Sequence, residues 1–220
     1  MSIGIGENLT ASFGFAKDKL GGSPVTWLIL SILNLVPIVD WIVYGVYVKV
    51  LRGEEPDLEN LGKTFIDGLL ALIIGLIYMI VPIILIIVVS VGMFTFGSVT
   101  VTPGDPSVSG MSEIAGFAVM SGLIILSFVV AFLFSLLATP AVVNFARKGF
   151  WAAFRIGELV RMLGKAGLLK YIVSLILLWI IFCVIVFICM LIPIIGWIVL
   201  IFALPFLYFW ASKYLANLFE

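Results

Sequence analysis

The chain has 220 residues, of which 64% are hydrophobic and only 11% are charged, whereas a soluble domain has roughly 45–50% apolar and about 25% charged residues. This excess excludes an ordinary soluble fold, and several apolar runs approach the ~20 residues that a helix needs to cross a bilayer. The 12 basic and 12 acidic side chains balance, so nothing favours nucleic acid as a partner.

The sequence contains no histidine, which removes the commonest metal ligand and the commonest general base. No serine is accompanied by a histidine that could activate it as a nucleophile. We therefore expect no enzymatic activity, no metal site and no cofactor. A lipid-modifying enzyme is the least favoured functional class.

The first element in chain order is an amphipathic helix over residues 7–20. Its apolar side chains recur at helical spacing, namely Leu9, Phe13, Ala16 and Leu20. This pattern predicts a helix that lies in the membrane interface.

Residues 24–50 contain a stretch that recurs near the other end of the chain. Residues 35–43 and 191–199 are identical at six of nine positions. In both, a proline is followed three residues later by Asp or Gly and then by Trp, which favours a turn between two membrane helices. We therefore predict a first hairpin over 24–50, short or re-entrant. The alternative is a single kinked helix with the N-terminus outside.

Residues 64–138 are predicted to form a second hairpin with an outer loop over 93–116, which contains no Lys or Arg. Close helix packing is expected at three small residues on adjacent turns, Gly68, Ala71 and Gly75. Pro82 should kink the first span or mark its junction with a neighbour, and Pro140 should end or bend the second.

Residues 141–166 form a basic segment with interleaved aromatic residues, and residues 171–215 are predicted to form a third hairpin around the repeated turn. The basic segment is expected to lie along the headgroups on the cytoplasmic side. Its candidate contacts to anionic lipid or a protein partner are Arg147, Lys148, Arg155, Arg161 and Lys165. A simpler explanation is that these charges only set the orientation of the protein in the membrane.

The positions of the basic residues predict the topology. Regions 49–63 and 139–170 carry nine of the twelve Lys and Arg residues, so the positive-inside rule places both in the cytoplasm. The fold class is therefore an all-α integral membrane bundle of about six segments with interfacial amphipathic helices. It is expected in the cell membrane, with both termini cytoplasmic.

Two acids near the apolar spans, Asp40 and Asp67, are candidates for ion or proton handling. The full set for an ion or solute pathway is Asn34, Asp40, Tyr44, Tyr47, Asp67 and Tyr78. Asp40 could instead be a helix cap or turn residue, because Gly196 replaces it in the second copy. Asp67 could simply reach water or the nearby Lys63.

Residues 45–56 read Gly-Val-Tyr-Val-Lys-Val-Leu-Arg-Gly-Glu-Glu-Pro, and residues 61–69 read Leu-Gly-Lys-Thr-Phe-Ile-Asp-Gly-Leu. With Tyr78 and the segment from Pro140 to Phe154, they resemble a multi-pass membrane family, domain of unknown function 4013, found mainly in archaea. The resemblance covers most of the chain. It implies a helical membrane fold and an archaeal origin, and it transfers no catalytic residue.

Together these patterns predict a non-enzymatic membrane accessory or scaffold protein, with a transporter or channel component for a small solute or ion as the alternative. Membrane lipids are the expected partners. A membrane or cytoplasmic protein partner and homo-oligomerisation through the small-residue faces both stay open. A polar cavity between hairpins would favour transport, and a tightly filled core would favour the accessory role.

Overall fold

The computed structural model describes residues 4–99, 109–192 and 194–220. Within these ranges the chain is helical and contains no strand, which confirms the all-α class. The helices are α1 (Ile5–Gly21), α2 (Pro24–Leu33), α3 (Asp40–Arg52), α4 (Leu61–Val99), α5 (Ser109–Lys148), a 3₁₀ helix (Phe150–Phe154), α6 (Ile156–Ala166), α7 (Leu168–Met190) and α8 (Ile195–Leu218).

Four of the described helices are long and apolar enough to cross a membrane. The stretches are Leu61–Gly92, Ser121–Lys148, Leu168–Met190 and Ile195–Leu218. The ten residues of α2 and the thirteen of α3 rise only about 15 Å and 20 Å as helices, less than the ~30 Å of a hydrocarbon core. The structure therefore supports a helical membrane protein with four clear candidate spans.

The chain divides into two compact units, one made of Met1–Ile74 with Thr139–Glu220 and the other of Gly75–Ala138. In the second unit, α4 and α5 present large apolar side chains that are more than half exposed, such as Ile84, Val88, Ile125 and Phe128. Exposed apolar side chains in long helices are expected where lipid is the solvent.

The first unit is organised around α8, against which α1, α2, α3 and α7 all pack. Trp27 on α2 donates a hydrogen bond to Phe202 O at 2.9 Å, and Trp210 on α8 donates to Leu9 O at 3.0 Å. A core cluster joins apolar side chains of α1, α2, α3 and α8: Ala16, Leu20, Leu30, Val43, Val46, Tyr47, Val50, Leu207, Phe209 and Trp210.

The two copies of the repeated stretch share two backbone features. Ile38 and Ile194, which are equivalent in the repeat, have φ values of 76° and 66°, a region that β-branched residues rarely occupy. Asp40 N donates to Val36 O at 3.0 Å, and the equivalent bond in the second copy, from Gly196 N to Ile192 O, is 2.9 Å. Pro193 lies outside the described residues.

The copies differ at the residue that follows the turn. A Cβ atom on Gly196 would lie 1.6 Å from Cys189 O, so no side chain fits there. The first copy accommodates Asp40 at the equivalent position. Glycine at residue 196 is thus required by close backbone approach, and Asp40 is not interchangeable with it.

In α1, the buried face differs from the one that the apolar spacing predicts. The fully buried stripe is Asn8, Ser12, Ala16 and Leu20, and Phe13 is 47% exposed. Asn8 donates to Tyr214 O at 3.0 Å and accepts from Asn217 at 2.8 Å. Polar side chains occupy this face because they satisfy groups near the end of α8.

The long helices α4 and α5 continue through both internal prolines and extend into the predicted outer loop. Helix α4 runs through Pro82 to Val99, and α5 begins at Ser109 and passes Pro140 before ending at Lys148. Only residues 100–108 of the predicted outer loop lie outside the described residues. The expectation that Pro140 ends the span is wrong: the following residues Ala141, Val143 and Phe145 are buried, and this packing offsets the hydrogen bond that proline removes.

Candidate functional site

Arg147 links the C-terminal end of α5 to the C-terminal end of α8 through hydrogen bonds. Its guanidinium donates to Ala216 O at 2.8 Å and to Phe219 O at 2.9 Å. These carbonyls belong to the last turn of α8, where backbone acceptors lack helical partners and a cation interacts favourably with the helix dipole. Arg147 therefore has a structural role, and it fixes one wall of a cleft.

This cleft lies between the end of α5, α6, the start of α7 and the end of α8, and we call it the basic cleft. It has a volume of about 610 Å³, which lies within the range of small-molecule sites. Its lining residues are Asn144, Arg147, Lys148, Glu158, Arg161, Met162, Lys165, Ala166, Lys170, Asn217, Leu218, Phe219 and Glu220. Five of them are basic and two are acidic, so positive charge prevails.

Glu158 neutralises two of the basic residues near the cleft. It accepts hydrogen bonds from Asn144 (3.2 Å), Lys148 (3.1 Å) and Arg155 (3.2 Å). Because these donors favour the ionised form, in that order of size, they lower the pKa of the Glu158 carboxyl to about 2. The charges of Lys148 and Arg155 are thus largely committed to Glu158.

Arg161 and Lys165 stand one turn apart on α6, and both are exposed. Neither forms an ion pair within the described part of the chain. Of the five predicted lipid- or partner-contact residues, four line the basic cleft, and Arg155 lies beside it through Glu158. The structure therefore brings the predicted set together and leaves Arg161 and Lys165 as its available charges.

Helix α6 presents three different faces. Leu159 and Leu163 are buried against the protein, while Ile156 and Val160 are 60% and 55% exposed. The basic residues lie on the remaining side. In addition, the 3₁₀ helix that precedes α6 exposes Trp151 by 78%, so an apolar surface adjoins the cleft.

The second predicted region divides between the two ends of α3. At the C-terminal end, Arg52 donates to Asp67 Oδ2 at 2.5 Å and to Ala146 O at 2.6 Å. Asp67 is thus held by Arg52 and not by Lys63 as the sequence suggested. The pair is mostly buried, with 16% and 11% of the two side chains exposed, which favours a structural role for Asp67.

At the N-terminal end of α3, three tyrosines pack together. Tyr47 stacks on Tyr208 with ring centroids 4.9 Å apart, and Tyr44 contacts both at 5.9 Å and 6.2 Å. Phe209 and Phe182 extend the cluster at 5.8 Å from Tyr47 and 5.4 Å from Tyr208. Aromatic rings thus fill the space between α3 and α8.

Two polar atoms near this aromatic cluster have no hydrogen-bond partner in the described residues, Asp40 Oδ1 and Tyr47 Oη. Asp40 is the first residue of α3, Val39 occupies the cap position, and no side-chain cap is formed. The interpretation of Asp40 as a capping residue is therefore wrong. Buried polar groups without partners cost free energy, so such groups often mark a functional site.

The remaining pathway candidates lie on other elements. Asn34 is the C-cap residue of α2, beside the repeated turn. Asp67 is paired with Arg52, which lies about 18 Å from Asp40 at the other end of α3. Tyr78 belongs to the other unit. Of the pathway set, the described ring contacts join Tyr44 and Tyr47, and Asp40 begins the same helix. Tyr208 joins them without a signal in the sequence, because an aromatic residue in an apolar run gives no indication of its partner.

The residues that carry the family resemblance, 45–56 and 61–69, both lie in the first unit. The comparison with protein families supports that resemblance. A family model described as protein of unknown function (DUF4013) matches residues 29–194. The chain belongs to this family. The match covers the first copy of the repeat, the first four residues of the second copy, the Arg52–Asp67 pair and most of the residues that line the basic cleft. No curated protein and no solved structure matches the chain.

Proposed function

We propose that this DUF4013 protein is a non-enzymatic accessory or scaffold protein of the cell membrane that acts through its basic cytoplasmic face. The observation that carries the proposal is the filled space between α3 and α8, where Tyr44, Tyr47 and Tyr208 stack. A solute pathway would need an open polar passage there. The basic cleft, by contrast, is an open polar space in the first unit.

The topology that we propose has six membrane-embedded segments. To the four long helices it adds α2 and α3, which would enter the bilayer as a short hairpin with the 34–39 turn toward the outside. The equivalence of Ile38 and Ile194 supports this arrangement, since the second copy of the turn joins two of the long apolar helices. Both termini and the basic cleft would then face the cytoplasm.

Reconstitution into liposomes tests the accessory role against transport. Purified protein in vesicles should dissipate imposed proton and Na⁺ or K⁺ gradients no faster than empty vesicles do. Leak above that of empty vesicles, abolished by Asp40→Asn with unchanged folding, would overturn the proposal.

The second candidate is a transporter or channel component, and the unpartnered Asp40 Oδ1 and Tyr47 Oη favour it. A carboxylate and a phenol two turns apart on one helix face could bind a proton or a small cation. Under this alternative, Asp40→Asn should abolish flux, whereas Tyr47→Phe should reduce it. The paired variants separate a role in flux from a role in packing, because neither changes the side-chain volume much.

A further inference from the structure

We propose that the basic cleft binds the phosphate group of an anionic phospholipid from the cytoplasmic leaflet, with Arg161 and Lys165 as its principal contacts. This inference deepens the proposed function and rests on its placement of the cleft at the cytoplasmic surface. The occupant is a lipid headgroup, and free phosphate is the source that the experiment must exclude.

Charge is the first reason to expect a phosphate. Within the cleft, Arg147 is committed to the end of α8, and Lys148 is committed to Glu158. Arg161 and Lys165 retain unpaired charge in the described residues, one turn apart on the same face of α6. A guanidinium offers paired donors that match phosphate oxygens, and an ammonium one turn away adds a point charge.

The state of Glu158 also favours an anion. Its carboxylate is satisfied by Asn144, Lys148 and Arg155. An acid with three donors repels an incoming anion less than a bare carboxylate would, because its charge is already compensated. Glu220 is the second acid of the lining, and it stands against the basic Arg161, Lys165 and Lys170, so positive charge prevails in the cleft.

Depth in the membrane is the reason to expect a lipid. The outer side of α6 exposes Ile156 and Val160, and the adjoining segments expose Trp151 and Leu169 by 78% each. An amphipathic helix with this division lies at the boundary between acyl chains and headgroups. With α6 at this boundary, the mouth of the cleft would lie at the level of the leaflet's phosphates, and lipid would reach it at high local concentration.

The volume of the cleft is also suitable. About 610 Å³ accommodates a phosphodiester with a small polar headgroup, and its walls combine charged groups with the apolar Leu218 and Met162. Polar donors that fix orientation within a partly apolar wall are typical of small-molecule sites.

The test compares two double variants with the same change of charge. Arg161→Gln/Lys165→Gln removes the cleft contacts, while Lys17→Gln/Lys63→Gln removes two exposed lysines outside the cleft. Full-length protein in detergent is titrated with phosphatidylglycerol or phosphatidylcholine, and bound lipid is counted by native mass spectrometry. We expect wild type and the Lys17/Lys63 variant to prefer phosphatidylglycerol, and the cleft variant to lose affinity for it at least tenfold.

A third variant has the opposite expected effect. Glu158→Gln keeps the shape of the side chain and releases Lys148 and Arg155, so phosphatidylglycerol should bind more tightly than to wild type. Unfolding temperatures of all variants in the same detergent show whether each has folded.

Three outcomes would overturn the inference: an equal loss in both double variants, no loss in a folded cleft variant, or displacement of the lipid by millimolar inorganic phosphate. The first indicates non-specific charge attraction, and the last indicates a site for soluble phosphate. The liposome flux measurement does not depend on the cleft. If wild type showed no preference for phosphatidylglycerol and no flux, the lipid inference would be overturned and the proposed accessory role would stand.

Discussion

Gly68 should tolerate no side chain, because it lies at the closest approach between α3 and α4. A Cβ atom there would lie 1.7 Å from Trp41 O and 2.7 Å from Gly45 N, whereas carbon atoms in good contact are roughly 3.5–4.0 Å apart. Both obstacles are backbone atoms, so no rotamer change can relieve the clash. In Gly68→Ala the two helices would have to separate by more than about 1 Å.

Overpacking of this kind costs typically 1–3 kcal/mol. We expect about 3 kcal/mol for Gly68→Ala, at the upper end of that range, because the separation also strains the mostly buried Arg52–Asp67 pair beside it. The free energy of unfolding can be measured by titration with SDS in mixed micelles, followed by far-ultraviolet circular dichroism.

Gly62→Ala is the matched control. Gly62 lies on the same helix, and a Cβ atom added to it would have nothing within 4 Å, so alanine should stabilise the protein by about 0.4–1 kcal/mol through the unfolded state. If Gly68→Ala and Gly62→Ala unfold at the same SDS fraction, the close approach of α3 and α4 does not exist in the membrane protein.

Further predictions concern one ion pair, one carboxylate and the repeated turn. Arg52→Gln should cost about 3 kcal/mol by leaving Asp67 unpaired, and Arg52→Gln/Asp67→Asn should recover part of it in a double-mutant cycle; additive losses would refute the pairing. Because the native pKa of Glu158 is about 2, below its ordinary value of 4.5, its ionised form stabilises the fold above about pH 4.5, and this contribution is lost as the pH falls from 4.5 toward 2. Acid unfolding of wild type should therefore be steeper in that window than that of Glu158→Gln, and coincident curves would contradict this. Gly196→Ala should destabilise the protein by several kcal/mol in the SDS titration, whereas Asp40→Gly should cost about 1 kcal/mol or less; equal effects would show that the two turns are equivalent.

Composition and periodicity were sufficient for the helical membrane class, since long apolar runs have no other stable solution in a bilayer. The repeat also located both turns, because proline and the following small or polar residue interrupt the helical pattern. These signals are local in the sequence. The backbone agrees with them, because the equivalent residues Ile38 and Ile194 both have positive φ values.

Partners across the fold could not be derived in the same way. Asp67 meets Arg52, fifteen residues away, because α3 and α4 cross at Gly45 and Gly68, and helix crossing is a tertiary property. The stripe headed by Asn8 on α1 was missed for a similar reason, since its polar side chains are buried only through α8. Apolar periodicity alone predicts that such residues are exposed.

The basic segment shows what the sequence alone does not reveal. Its charges predict a cytoplasmic surface and candidate contacts, but they do not indicate which charges are neutralised. Glu158 decides which charges are neutralised, because it forms ion pairs with Lys148 and Arg155. Arg161 and Lys165 are left to bind a ligand. Only the arrangement of α5 and α6 around Asn144 reveals it.

The measurement that tests the central claim most directly is the accessibility of single cysteines in a variant without Cys183 and Cys189. Ala11→Cys and Gly164→Cys report on the N-terminal helix and the basic segment, and Val36→Cys reports on the first turn. The six-segment topology predicts that membrane-impermeant reagents label the first two only from the cytoplasmic side and Val36→Cys only from outside. Labelling of Ala11→Cys from outside, with Gly164→Cys still cytoplasmic, would contradict the first hairpin and with it the proposed topology.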